Sequence, residues 1–466
     1  MQKYLNHVYI TEIVLFFLII FGIVPRWFAF VLAGILIIYT LFASLEDTTV
    51  LFVRSIPLFI ALPFTASFDN FNTWRILALI IFLKFLYSHY KTIKLNKLLF
   101  TLLIISCLSV FVAPGKHVAL LRIIYFLNLM MVPIVIYYLP DKIRIIKNIA
   151  VPVIIVAIMG FVQLISTYFV DIYQFMSIWG EGIQCRQFGM QWCYIATHVG
   201  NTWFAYYGSQ LSLRMFSLFT DSHTFPIFLL LGMPSLFLLK SESAHHKRWW
   251  IMIAFVYLTV ILSGTRGIWA ASLGVLILAL LLWWRKLSVP ASKSLVVFFL
   301  LFLIAWPIFN SPQFLLAHGG FGHRLKSVFD FNETSNKARI AIWKASLISI
   351  VHHPILGVGI GNFPIVLGED LKLAKAGSSA HNLYLQVASE MGIFALIALI
   401  WFLWRVIKKL YANTDHVYFG SLLIFLAWVL IYVLTDVALF DERTFLITAT
   451  VIAIGLTAGE RQPRLS

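Results

Sequence analysis

The feature that most constrains this chain is a series of about fourteen apolar runs, each near the roughly 17–25 residues that a helix needs to cross a bilayer. Hydrophobic residues make up 61% of the chain and charged residues 12%, which is more apolar surface than a water-soluble fold can bury. We therefore expect an all-α polytopic membrane protein with about 12–14 transmembrane helices.

Two of the runs matter later. The third covers residues 50–66 and is interrupted by Pro57 and Pro63, and another covers 383–405 near the carboxyl end. We expect both to cross the membrane, with the first three runs of the chain the least regular.

The formal charge of +16 is carried mainly by short loops between the runs. The basic loops alternate strictly with loops poor in Lys and Arg, so they share one side, and the positive-inside rule makes that side cytoplasmic. This pattern encodes topology rather than binding to nucleic acid. It predicts a multi-pass membrane protein with two long loops on the opposite, periplasmic side, at 171–213 and 310–382.

These loops divide the chain. The predicted parts are N-terminal transmembrane helices at 1–170, the periplasmic loop at 171–213, transmembrane helices at 214–309, the larger periplasmic loop at 310–382, and C-terminal transmembrane helices at 383–466. Both loops are rich in aromatic residues and glycine, which argues against disorder.

One stretch of the larger loop predicts an amphipathic helix. Ile340, Trp343, Leu347 and Ile350 recur at helical spacing. Such a helix lies on the membrane surface or caps the helical bundle, and the spacing does not distinguish the two.

Cys185 and Cys193 lie together in the first long loop. A periplasmic location permits a disulfide between them, and two free thiols are the alternative. No cysteine spacing typical of a zinc site is present, and we expect no metal and no cofactor.

Charged residues inside or beside the runs are the candidate functional groups. Most lie within a turn or two of a run's end, where extension of the side chain towards water explains them. These residues are Glu12, Arg54, Arg75, Lys84 and Arg122.

Arg266 is different, because Ser-Gly-Thr-Arg-Gly at 263–267 divides one long apolar stretch without a loop. A helix that begins with Gly, Thr and Arg offers an anion site formed by backbone amides, the helix dipole and a guanidinium fork. A positive charge on the periplasmic side also works against the topology rule, which favours a function for it over a role in topology.

Three further groups lie at the same predicted interface. Arg214 ends the first long loop, and Asp221 and His223 follow within a few residues, where Asp221 either pairs with Arg214 or binds substrate. His381 and Asn382 precede the run at 383–405. A histidine at such a place is either structural or a base that takes a proton from a hydroxyl.

Three motifs in order resemble the O-antigen ligase and polymerase superfamily. They are the Ser-Gly-Thr-Arg-Gly segment at 263–267, Arg339 to Trp343 leading into His353-Pro354-Ile355-Leu356-Gly357, and His381-Asn382-Leu383-Tyr384. The resemblance covers about residues 200–400, and the N-terminal half matches only as a series of spans.

The resemblance implies a GT-C type bundle and a metal-independent glycosyltransferase that uses undecaprenyl diphosphate glycan as donor. Arg214 and Arg266 would bind the donor diphosphate, and His381 would activate the acceptor hydroxyl of lipid A-core or of a growing polysaccharide. Arg339 would assist on either side, with Asp221, His223 and Asn382 among the substrate-binding residues. No Asp-x-Asp pair occurs in the predicted periplasmic loops, which disfavours a metal-dependent enzyme.

Four functions stay open from sequence: an O-antigen ligase, a polysaccharide polymerase, a protein O-oligosaccharyltransferase, and a transporter or flippase. A transporter would need ionisable groups near mid-membrane and commonly internal repeats. The candidate residues gather at one face instead, which favours an enzyme.

Overall fold

The computed structural model describes residues 2–66, 68–89, 96–199, 202–207, 210–284, 289–310, 334–367 and 379–459. It is an all-α membrane protein, as the sequence predicts. Its helices are α1 Gln2–Ile20, α2 Phe28–Phe42, α3 Leu45–Ser55, α4 Trp74–His89, α5 Lys97–Ser109, α6 Lys116–Tyr138, α7 Lys142–Ser166, α8 Ile172–Phe175, α9 Cys185–Phe188, α10 Met190–Tyr194, α11 Thr224–Glu242, α12 His246–Leu262, α13 Arg266–Trp284, α14 Pro290–Asn310, α15 Thr334–His352, α16 Leu383–Met391, α17 Ile393–Tyr411, α18 Val417–Tyr432 and α19 Glu442–Gly455.

Each predicted run contains a helix, and five helices of the described chain are both long and apolar enough to cross a membrane by themselves. They are α6, α7, α11, α13 and the part of α14 from Ala291 to Ile308. Four shorter apolar helices accompany them: α1 from Tyr4, α2, α5 and α18. The chain is therefore built as a multi-pass membrane protein.

The third run was predicted wrongly as one spanning helix. Helix α3 ends at Ser55, a 3-10 turn follows at Ile56–Leu58, and strand β1, Ala61–Leu62, then pairs antiparallel with β2, Phe71–Asn72. Pro57 has no backbone N–H to donate, so an α-helix cannot continue through it undisturbed. The second half of the run therefore contains the buried first strand of a hairpin, not a continuation of the helix.

The run at 383–405 is also not one helix, because it breaks at Gly392. This glycine has φ +85°, and a Cβ added there would lie 2.1 Å from the Ile355 carbonyl oxygen. Only glycine fits such a left-handed, closely packed position. The short helix α16 therefore stands apart from α17, and His381 precedes α16 rather than a spanning helix.

The segment 171–213 is folded. It contains α8, α9 and α10, two π-helical stretches at Met176–Gln184 and Ile195–Val199, and a hairpin of β3, Phe204–Tyr207, with β4, Gln210–Leu213. Cys185 and Cys193 are joined in a disulfide at the centre of this segment.

Helix α11 is the centre of the bundle, where it packs against α7, α12, α18 and α19. Its side chains are buried continuously from Thr224 to Leu238. The sequence of α11 is apolar on every side, which is typical of a helix that is buried on every side. The amino end of α11 thereby lies beside the carboxyl end of α18.

Ion pairs join the ends of helices that carry basic residues. Lys147 at the start of α7 pairs with Glu242 at the end of α11, 2.6 Å apart, and Arg144 pairs with Asp47 at the start of α3. The opposite ends meet through other contacts, such as the hydrogen bond from the Gly115 amide to Asn362, at 2.9 Å. This arrangement agrees with the predicted sharing of one side by the basic loops, and the identity of that side as cytoplasmic stays a prediction.

Helix α15 is present as predicted, and its apolar stripe is partly exposed. Leu347 of the expected stripe is 54% exposed, whereas Ile342 and Ser346 are buried. Ile342 packs against Phe363 and Ala380 from the neighbouring turn and loop. Packing against these elements, rather than apolar spacing alone, decides the orientation of α15. Residues 311–333 and 368–378 of the larger predicted loop lie outside the described chain.

Candidate active site

The turn before α11 is held by Asp221. Its Oδ1 accepts hydrogen bonds from the backbone amides of His223, at 2.7 Å, and Thr224, at 2.9 Å. This is the geometry of a helix cap. Burial raises the pKa of Asp221, His223 opposes this shift, and the Asp441 carboxylate adds to it. Asp221 therefore has a structural role in this turn, and its role in substrate binding stays a prediction.

Arg214 follows β4 and is fixed through its backbone, whose amide donates to the Trp203 carbonyl at 2.8 Å. In the described chain no ion pair joins Arg214 to Asp221, so that alternative does not hold there. The Nε of Arg214 is buried and donates to no described atom. A buried donor without an acceptor is costly, which makes Arg214 suited to an anionic ligand.

Contacts of Thr265 and Gly267 fix the segment 263–267 on both sides of Arg266. The Thr265 hydroxyl donates to the Ser222 carbonyl at 2.8 Å, and a Cβ on Gly267 would lie 2.7 Å from the Tyr432 ring. Glycine thus permits the close approach of α13 to α18. Arg266, the first residue of α13, is placed between the turn before α11 and the end of α18.

A histidine–carboxylate pair lies at the same place. His223 Nδ1 is 2.9 Å from Asp436 Oδ2 and 2.9 Å from the Tyr432 hydroxyl. Burial opposes ionisation of Asp436, but the charge and hydrogen bond of His223 outweigh it and hold the pKa of Asp436 below its ordinary value. The charges of His381 and Arg339 act in the same direction.

Sequence reasoning missed Asp436. Its signal was present, because an acidic residue near the end of the apolar run at 417–437 is a functional candidate by the rule applied to the arginines. Asp436 is recognisable as a site residue only through its contact with His223, which lies more than two hundred positions away in the sequence.

His381 reaches this cluster through a strained backbone. Its φ is +45°, in the left-handed region, and such a conformation in a residue other than glycine costs on the order of 1–3 kcal/mol. The next turn fixes it, since the Leu383 amide donates to the Val433 carbonyl at 2.8 Å. His381 lies close enough to Asp436 that its protonated imidazole lowers the pKa of that carboxyl group.

Asn382 caps the helix that follows it. Its Oδ1 accepts from the amides of Tyr384, at 3.0 Å, and Leu385, at 3.1 Å, and so caps α16. The side-chain oxygen is thereby engaged with the backbone. A role for Asn382 in substrate binding stays a prediction.

Arg339 comes to the cluster on α15. The helix is tied to the segment before His381 by the Trp343 indole, which donates to the Ala380 carbonyl at 3.0 Å. The charges of Arg339 and Arg214 both act on the Tyr432 hydroxyl. The structure thus brings the predicted arginines and histidines to one end of the bundle, around residues 432–436.

Within the described part of the chain, no three His, Cys, Asp or Glu side chains come together to hold a metal ion. The pair of His223 and Asp436 is short of the three protein ligands that catalytic zinc sites use. Independence from metal remains a prediction for experiment.

Comparison with known proteins gives one family. Residues 250–400, about a third of the chain, match the family model described as O-Antigen ligase, which supports the resemblance stated above. The matched part contains Arg266, Arg339 and His381, whereas Arg214, His223 and Asp436 lie outside it. No curated protein matches the chain.

Proposed function

On the premise that residues 250–400 form a domain of the O-antigen ligase kind, we propose that this chain is a metal-independent glycosyltransferase of the bacterial inner membrane. It transfers a glycan from undecaprenyl diphosphate to an acceptor hydroxyl at the periplasmic face, with lipid A-core as the first acceptor to test. The observation that carries the proposal is the meeting of Arg214, Arg266 and His381 at one end of the bundle.

The donor is held by cations. Arg214 has a buried Nε without an acceptor among the described residues, and Arg266 begins a helix whose first amides also favour an anion. The diphosphate gains charge as its bond to the sugar breaks. Fixed guanidinium groups therefore stabilise the transition state more than the bound donor.

The acceptor is activated by His381. The acceptor oxygen attacks the anomeric carbon, the bond from that carbon to the diphosphate oxygen breaks, and the electron pair leaves with undecaprenyl diphosphate. The acceptor proton passes to the His381 imidazole, and the nearby Asp436 carboxylate stabilises the imidazolium that forms. The contact with His223 Nδ1 holds the Asp436 carboxylate in place.

A polymerase of the same superfamily would use the same groups with another acceptor, a growing polysaccharide. Purified protein given undecaprenyl diphosphate glycan separates the two, because lipid A-core and a lipid-linked glycan can be offered side by side. We expect a glycosylated lipid A-core product, detected by mass spectrometry, at a rate that EDTA does not change.

Several results would contradict the proposal. Products only on the lipid-linked glycan would assign a polymerase. Translocation of the donor without formation of a glycosidic bond would assign a transporter. Loss of activity in EDTA that Mg²⁺ or Mn²⁺ restores would refute the arginine mechanism while leaving a transferase.

A further inference from the structure

Arg75 and Arg122 form a second cationic pair that the mechanism above does not use. Arg75 is the second residue of α4, and Arg122 lies in the second turn of α6. Their guanidinium carbons lie 5.8 Å and 5.9 Å from the centre of one ring, that of Tyr125. The two arginines therefore share one aromatic platform.

The Arg75 side chain is partly buried among aromatic rings. Its guanidinium also lies 5.6 Å from the Phe71 ring and 5.5 Å from the Trp74 ring. Its Nε is buried and donates to no described atom. Aromatic faces attract the charge but accept no strong N–H hydrogen bond, so they leave the Nε donor unsatisfied.

The neighbouring carboxylates are engaged elsewhere. The two oxygens of Glu442 accept from the Asn72 amide and the Trp74 indole, each at 2.7 Å. In the part of the chain that the structure describes, no carboxylate lies within ion-pair distance of Arg75 or Arg122. Glu442 interacts electrostatically with Arg75, and Glu390 with Arg122, both from beyond ion-pair distance.

An apolar surface adjoins the pair. Next to Arg122, Leu121 is 53% exposed and Ile124 is 60% exposed, both on the outer face of α6. In a membrane this face meets acyl chains. The combination of a guanidinium pair with a lipid-facing helix fits a ligand that is anionic at one end and apolar at the other.

We propose that Arg75 and Arg122 bind the phosphate group of an amphiphile whose acyl chains lie along α6. Guanidinium groups match phosphate oxygens in a planar fork, and Arg75 at the start of α4 adds its charge to the positive end of that helix. The phosphate belongs either to a membrane phospholipid or to a phosphorylated lipid acceptor.

If the phosphate belongs to the lipid acceptor, the ligand has to lie near the active site. Glu442, which binds the Trp74 indole beside Arg75, follows Asp441 directly, and Asp441 accepts from the Thr220 hydroxyl at 3.1 Å, one residue before Asp221. One short segment thus separates the two cationic sites. This source rests on the proposed function, whereas the phospholipid source does not.

Binding is tested with short-chain phosphatidic acid as the probe, short-chain phosphatidylcholine as its zwitterionic counterpart, and inorganic phosphate as the free anion. The thermal stability of purified protein is measured as each is added. We expect phosphatidic acid to raise the midpoint in the native protein. In Arg75→Gln and Arg122→Gln its apparent affinity should fall about tenfold or more, since each substitution removes a charge-assisted contact.

Arg248→Gln is the matched control, because it removes one exposed arginine from the opposite end of the bundle. Arg75→Lys keeps the charge and loses the fork, and it guards against misfolding of Arg75→Gln. An equal shift in the native protein and in Arg122→Gln would overturn the site. No shift with phosphatidic acid in the native protein would overturn it as well, and a shift with inorganic phosphate alone would remove the apolar part of the proposal.

KM values measured in phosphatidylcholine nanodiscs decide whether the phosphate belongs to the lipid acceptor or to a membrane phospholipid. A higher KM of Arg122→Gln for the lipid acceptor, with the donor KM unchanged, assigns the acceptor phosphate. Unchanged KM values together with lost phosphatidic acid binding assign a membrane phospholipid. If the native protein transfers no glycan at all, the proposed function fails, while the binding measurement still decides the anion site.

Discussion

Arg26 and Arg214 lie at the same end of the bundle, and their surroundings differ in one decisive respect. The Arg26 guanidinium donates to Asp69 Oδ2 at 2.6 Å, to the Asp69 carbonyl at 2.7 Å and to the Arg186 carbonyl at 3.2 Å. Arg214 keeps a buried Nε that donates to no described atom.

The difference separates structural arginines from arginines that await a ligand. A guanidinium surrounded by carbonyl and carboxylate oxygens has no free direction for a substrate, whereas one packed without acceptors carries a cost that an anionic ligand removes. Arg26 therefore holds the hairpin of β1 and β2 to the segment 171–213. In the proposed function, Arg214 uses this free donor to bind the donor diphosphate.

The largest expected effect is on turnover. Arg214→Gln and Arg266→Lys should each reduce kcat/KM by about a hundredfold to a thousandfold, because the transition state loses a guanidinium contact that neither an amide nor a point charge replaces. Steady-state rates with purified protein and undecaprenyl diphosphate glycan measure this. Melting temperatures close to the native value are the control for folding.

Comparable rates for Arg214→Gln and the native protein would contradict the role of Arg214 in binding the donor, and with it the contrast to Arg26. A fall in rate that parallels a fall in melting temperature would make Arg214 structural, like Arg26.

The next effect is on stability. Arg26→Gln should lower the free energy of unfolding by about 3 kcal/mol, because the buried Asp69 loses its charged partner. The turnover of the folded fraction should stay near the native value. Denaturant melts followed by fluorescence measure the loss, and a severe drop in kcat at unchanged stability would contradict this assignment.

The same pair predicts a pH dependence. Burial opposes ionisation of Asp69, but the Met190 amide and Arg26 hold the pKa of Asp69 below its ordinary value. A lowered folded-state pKa stabilises the protein above the unfolded pKa of about 3.9, and this contribution is lost as the pH falls through the lower folded value. Arg26→Gln should therefore lose part of its stability deficit below about pH 4.

A smaller effect comes from the disulfide that closes the segment between these two arginines. Cys185 and Cys193 should be oxidised in purified protein, and their replacement by serine should cost about 2 kcal/mol of stability. Mass spectrometry after alkylation without reduction tests the first point. Alkylation of both residues under those conditions would show free thiols.

The smallest effect sharpens the site itself. Asn382→Ala should cost about 1 kcal/mol through loss of the cap on α16, and Asn382→Asp should restore it. Stability and turnover are measured on both variants. If Asn382→Asp is stable yet inactive, the side chain contacts substrate in addition to capping the helix.

The sequence alone determined the class of fold and indicated most of the candidate site residues. Apolar runs of spanning length leave a chain no soluble alternative, and arginines that oppose the topology rule stand out in any such chain. Arg214, Arg266 and His381 were therefore identifiable before any contact was known. The family match covers Arg266 and His381 but not Arg214.

Tertiary structure decided what local pattern could not. The break at Gly392 depends on the Ile355 carbonyl, and the buried face of α15 depends on packing against Ala380. Hydropathy averages over a window and contains neither neighbour. For this reason the run at 383–405 read as one helix, and the apolar spacing on α15 did not decide which neighbours the helix packs against.

The pairings of charged groups were decided in the same way. Whether an arginine is satisfied, as Arg26 is by Asp69, or left with a buried donor, as Arg214 is, depends on atoms far away in sequence. Asp436 became part of the site only once the fold had set it 2.9 Å from His223. Sequence records which groups are available, and only the folded chain determines which of them hydrogen-bond to each other and which remain for a ligand.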